Sequence, residues 1–167
     1  MKLFSVIIVL AATLALPTHA IDLPKYVAAP YSKELTRWLK AHPQYRLANS
    51  VDCECTEEIA TVRKGQGGVW KPMPGYEPYF AAADFDGDGV KDFAVVVRPD
   101  TGTLPTKIVV FLLDRHGRAK EVVDSNVRES RIDHFALFVA PGEGKRKRLL
   151  WGAFASEGEE VQLRGAH

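Results

Sequence analysis

A chain of 167 residues with 22 basic and 21 acidic side chains carries a formal charge of +1, which excludes any general attraction to nucleic acid or to an anionic membrane surface. Its length suits one ordinary domain with enough chain to bury a core. The apolar fraction of 46% with 26% charged residues is that of a globular protein.

The first segment, "MKLFSVIIVLAATLALPTHA", has one positive charge at Lys2, an apolar run from Phe4 to Leu16, Pro17, and small residues at Thr18 and Ala20. This pattern predicts a secretory signal peptide over residues 1–20, and hence a periplasmic or secreted protein whose single domain runs over 21–167. The apolar run is shorter than the roughly 20 residues of a spanning helix. Cleavage would bring the basic count level with the acidic one and leave no membrane segment in the remainder.

Next, "SKELTRWLKAHP" places Ser32 at an N-cap and Leu35, Trp38 and Leu39 at i, i+3 and i+4, predicting a short helix ended by the His42-Pro43 step. A second helix is expected in "DCECTEEIATVRKGQGG". There Asp52 is the expected cap, the acidic residues 54, 57 and 58 suit the N-terminal dipole, and Gly65 is the stop. Export favours disulfides, but Cys53 and Cys55 stand one residue apart. In a helical first turn they would point about 200° apart and form a low-pKa thiol pair. In a non-helical cap they would form a small, labile disulfide ring. Free or packed thiols and pairing between chains are the other readings, and a metal site lacks two further ligands at a recognised spacing.

The segment "GGVWKPMPGYEPYF" sets Trp70, Tyr76, Tyr79 and Phe80 among three prolines. Residues 69–80 read either as a recognition surface for a protein, peptide or glycan, as in a periplasmic inhibitor or immunity-type protein, or as a strap with its aromatics turned inward.

Beyond residue 77 the pattern changes to short strands. "YFAAA", "FAVVV", "KIVVFLL", "AKEVV", "HFALFVA", "RLLWGAFA" and "EVQLR" are separated by turn-forming segments. Six or seven strands at hairpin spacing predict an antiparallel meander, and two short helices ahead of them make the class α+β. The run "KRKR" at 145–148 reads as the solvated shoulder of a hairpin, with contact to an acidic partner as the alternative. Catalysis has no motif: no G-x-S-x-G elbow, H-E-x-x-H helix or phosphate-binding glycine loop occurs. Asp133 and His134 are strand neighbours facing opposite ways.

The chemistry concentrates in "DFDGDGVKD", residues 84–92. Asp84, Asp86, Asp88 and Asp92 occupy positions 1, 3, 5 and 9 of a loop, with Gly89 at position 6 and the Val90 carbonyl at 7. Ca²⁺ takes six to eight oxygens at flexible distances, and Gly permits the sharp turn. Mg²⁺, which keeps more of its water, is the second choice. Position 12 is Val95, so the helix-loop-helix calcium hand is not matched; a plain acidic hairpin turn is the alternative reading. Over residues 79–97 the stretch resembles the calcium loop of FG-GAP repeats, the integrin-propeller-type unit with D-x-D-x-D-G-x-x-D between two strands. The resemblance implies calcium held in a hairpin by Asp84, Asp86, Asp88, Val90 and Asp92. One copy of the pattern is present, so no propeller follows. The expectation is an exported protein with a structural calcium ion, serving as a binding module of the cell envelope or exterior. Its partner and oligomeric state are not set by the sequence, and thiol chemistry at Cys53 and Cys55 is a further alternative.

Overall fold

A computed structural model describes residues 21–66, 72–101, 104–127, 132–154 and 158–163. The expected signal segment and Trp70 lie outside the described residues. The architecture is α+β, with N-terminal helices and two antiparallel sheets of five and three strands. Six of the seven expected strands are present, the seventh, expected over 160–164, is reduced to Glu159–Glu160, and a further short strand precedes them; they form two sheets where one meander was expected.

Helix α1 spans Ala29–Ala41. It begins three residues before the expected cap, because Pro30 fits the first turn, where its missing N–H costs nothing. The expected second helix is two helices, α2 (Ser50–Cys53) and α3 (Thr56–Lys64). Asn49, not Asp52, is the cap. Its side chain accepts from Val51 N–H, and Asp52, at the third helical position, returns the bond to Asn49 N–H. Glu54 then adopts a left-handed conformation (φ 52°), which ends α2. Gly65 (φ 67°) ends α3 as expected.

The larger sheet contains β1 (Tyr45–Leu47), β2 (Phe80–Ala83), β3 (Asp92–Pro99), β4 (Lys107–Leu113) and β5 (Ala119–Asn126). Strands β1 and β2 lie end to end along one side of β3, paired as Leu47 with Val97 and Phe80 with Val95. On its other side β3 pairs with β4, and β4 with β5. The smaller sheet is β6 (Phe135–Pro141), β7 (Lys147–Ala153) and β8 (Glu159–Glu160).

The near-continuous apolar runs of β3 and β4 are explained by burial on both faces of the larger sheet. One face carries Phe93, Val95, Val97, Val109, Phe111 and Leu113 against Leu35, Trp38 and Leu39 of α1. The other carries Ala94, Val96, Ile108, Val110 and Leu112 against Ile59 and Val62 of α3 and Leu137, Leu149 and Trp151 of the smaller sheet. Backbone bonds also tie the layers, from Leu137 N–H to Pro78 O and from Lys147 N–H to Asp84 O, each 2.7 Å.

An ion-pair cluster fastens α2 and β1 to β3. Asp52 accepts from both terminal nitrogens of Arg46, at 2.8 and 2.7 Å, and from Arg98 at 2.8 Å. Burial acts to raise the Asp52 pKa, but the hydrogen bonds from Arg46 and Asn49 N–H and the two guanidinium charges outweigh it and hold the carboxyl below its ordinary value. A depressed native pKa contributes stability above the unfolded value that is lost as pH falls through the native one. Asp52→Asn is therefore expected to cost about 1–2 kcal/mol at neutral pH, with the deficit shrinking below about pH 4. Urea unfolding of both proteins across that range measures it.

Candidate metal site

The loop joining β2 to β3 holds the four aspartates, and the structure sorts them into three and one. Asp84, Asp86 and Asp88 each offer a carboxylate oxygen, all within 4.8 Å of one another. Asp84 leaves the end of β2 and folds the loop around itself, accepting from Gly87 N–H at 2.7 Å and Gly89 N–H at 2.9 Å. Both glycines have positive φ, 85° and 88°, a conformation that side chains disfavour. Asp86 accepts from Asp88 N–H at 3.2 Å, and Asp88 from Val90 N–H at 2.8 Å. These successive turns point the three carboxylates to one side. A carboxylate oxygen that accepts one N–H keeps a lone pair for a cation, so the hydrogen bonds that order the loop do not spend its ligand capacity.

Asp92 is elsewhere. It is completely buried as the first residue of β3, where one oxygen accepts from Phe85 N–H and the other from Leu113 N–H, each at 2.8 Å. Position 9 of the motif thus bolts the loop to β4 and is not among the converging oxygens. Desolvation raises its pKa to about 6 against the pull of both N–H donors, with the Asp86 and Asp88 charges adding to the rise. Phe85, fully buried between these aspartates, anchors the loop in the core shared by the two sheets. Val90 packs, half-buried, against the cluster on the α1 side.

The residue that sequence reading missed is Lys120 on β5. Its ammonium lies 2.6 Å from Asp86 and forms a second short ion pair with Asp88. The Asp86 and Asp88 hydrogen bonds raise the Lys120 pKa, and Lys120 in turn, with Val90 N–H, holds Asp88 below its ordinary value. From the other side Arg146, within the "KRKR" run, donates to Phe85 O at 3.0 Å. That run is accordingly part of the loop's seat as well as a solvated hairpin shoulder. The site is three hard oxygen donors with one built-in monovalent counter-charge.

The other sequence-selected residues do not converge here. Tyr76 and Tyr79 are buried, and their hydroxyls donate to Leu137 O at 3.2 Å and Ile132 O at 2.8 Å. For these two the recognition-surface reading is corrected: the apolar ring area goes into the core, and each polar tip finds a carbonyl there. Cys53 and Cys55 form a disulfide across a Cα separation of 5.0 Å, and both are fully buried. Left-handed Glu54 between them removes the helical first turn in which the two thiols would have pointed apart.

No family model, no curated protein and no solved structure matches the chain. No helix among the described residues is long and apolar enough to cross a membrane.

Proposed function

We propose that this is an exported calcium-binding protein in which the metal is structural, locking the FG-GAP-like hairpin between the two sheets of an interaction module of the cell envelope or exterior. The observation that carries the reading is the convergence of Asp84, Asp86 and Asp88 within 4.8 Å on a loop whose turns use Gly87 and Gly89. Three carboxylates from one short loop suit Ca²⁺, which tolerates irregular geometry, better than Mg²⁺, which demands an octahedron and retains water. Asp92 supports the site by fixing the loop's frame. The Val90 carbonyl and solvent would supply further oxygens. Bridged, buried cysteines and inward-turned tyrosines give no comparable support to thiol chemistry or to an inhibitor surface.

Lys120 makes the reading testable, because a divalent ion must take over the oxygens it now neutralises. Calorimetric titration should show calcium binding that Asp84→Ala removes. Lys120→Met should tighten binding about two- to fivefold, the worth of a partly exposed ion pair. Unchanged or weaker binding in Lys120→Met would place the cation somewhere other than these carboxylates.

A further inference from the structure

A cleft of about 440 Å³ lies between α3 and the smaller sheet, lined by Glu57, Glu58 and Thr61 on one side and His134, Ala153 and Phe154 on the other. His134 stands in it under unusual constraint. It is one of two non-glycine residues with positive φ among those described (φ 62°), a conformation that costs energy and persists only where its surroundings impose it. Here its N–H donates to Cys53 O at 2.8 Å, its carbonyl accepts from Phe154 N–H at 3.2 Å, and its ring Nδ1 lies 3.0 Å from Glu58 Oε1. The disulfide segment and the end of β7 therefore hold the backbone while α3 orients the ring.

The hydrogen-bonding inventory is one-sided. A carboxylate can only accept, so Nδ1 carries the hydrogen toward Glu58, and in the neutral ring Nε2 is left as an acceptor. Glu57 has no ion-pair or hydrogen-bond partner among the described residues. Among the described residues the carboxylates that line the cleft are Glu57 and Glu58, and no described Lys or Arg lines it. Unused acceptors at Glu57, the second Glu58 oxygen and His134 Nε2 stand opposite an apolar wall ending in the Phe154 ring. The complementary ligand is a flat, multi-donor cation with an apolar stem. A guanidinium meets that description best, since its five N–H groups fan across separated acceptors while an aromatic face stabilises the charge.

We infer that this cleft is a recognition site for an arginine side chain presented by a partner polypeptide, with Glu57, Glu58 and His134 Nε2 as acceptors and Phe154 as the apolar wall. None of these residues belongs to the calcium hairpin, so failure of either reading leaves the other standing.

The test is an NMR titration of the purified protein with Nα-acetyl-arginine amide, following the ring protons of His134 and Phe154. The citrulline analogue, which keeps the planar shape but loses the charge and has a carbonyl oxygen in place of one NH2 group, is the control. Saturable shifts with the arginine amide are expected, with affinity about tenfold lower for citrulline and for Glu57→Gln. Glu57 is exposed and unpaired, so that substitution leaves the fold intact. His134→Asn, which tolerates the left-handed backbone, should weaken binding as well. Equal affinity for arginine and citrulline, no saturable shift, or undiminished binding in Glu57→Gln or His134→Asn would overturn the assignment.

Discussion

Asp92→Ala is expected to be the most damaging single substitution in the acidic loop, lowering stability by roughly 3–5 kcal/mol through its two abandoned donors. Phe85 N–H and Leu113 N–H both end on this carboxylate inside the protein, and each buried donor left unpaired costs about 1–3 kcal/mol. Relief of the desolvated charge, visible in the pKa raised to about 6, offsets part of that and keeps the figure below a simple doubling of the upper limit. Asp92→Asn should fall between wild type and alanine, because an amide accepts one N–H and turns a donor toward the other. Asp88→Ala, whose carboxylate is exposed and paired with Lys120, should cost less than about 1 kcal/mol in metal-free protein. Chemical denaturation of the three variants after EDTA treatment separates the roles. Equal losses at positions 88 and 92 would show that Asp92 is not the fastening described here.

The second large effect is expected on the opposite face of the larger sheet, where Phe93→Ala should cost about 3–5 kcal/mol. Phe93 is fully buried and stacks on its cross-strand partner Phe111, with centroids 4.3 Å apart and planes 2° from parallel. Tyr31 of α1 adds a tilted contact at 4.8 Å. Truncation opens a cavity beneath α1 that neighbours from three elements cannot close without breaking sheet register. The melting temperature should fall by roughly 8–15 °C, and Phe93→Leu, which refills most of the volume, should recover more than half of that. A loss in Phe93→Ala as small as that in Phe93→Leu would mean that the α1 layer packs loosely and contributes little to the core.

Much of the architecture was legible because local pattern and tertiary burial agree. The apolar runs of β3 and β4, the turn residues between strands, and Gly65 at the end of α3 each carry their own physical signal. The start of the second helix misled because Asp52 is a good cap in isolation, whereas Asn49, three residues earlier, forms a reciprocal box with it. That Asn-x-x-Asp spacing was present in "NSVD" and could have been found. The left-handed turn at Glu54 had no local signal and is seen only with the bridge between its neighbours. Strand β1 escaped because three residues are too few to show a period. Its place is set by the free length of β3 beyond β2.

In the loop, spacing revealed which residues are acidic and near one another, but not which way each faces. Asp92 looked equivalent to its neighbours in the motif, yet as the opening residue of β3 it follows the strand's alternation into the core. Lys120 was invisible for a different reason. It reaches Asp86 and Asp88 only because β5 pairs with β4, a register that no short stretch of sequence encodes.

The most direct test of the central claim, a structural calcium ion on Asp84, Asp86 and Asp88, is a thermal unfolding curve of the EDTA-treated protein with and without added Ca²⁺, with Mg²⁺ as control. With free calcium near a hundred times the dissociation constant, binding to the native state contributes about 2.7 kcal/mol, which predicts a calcium-specific rise of roughly 5–10 °C that is absent in Asp84→Ala. Coincident curves with and without calcium would contradict the account and leave "DFDGDGVKD" an acidic turn neutralised by Lys120.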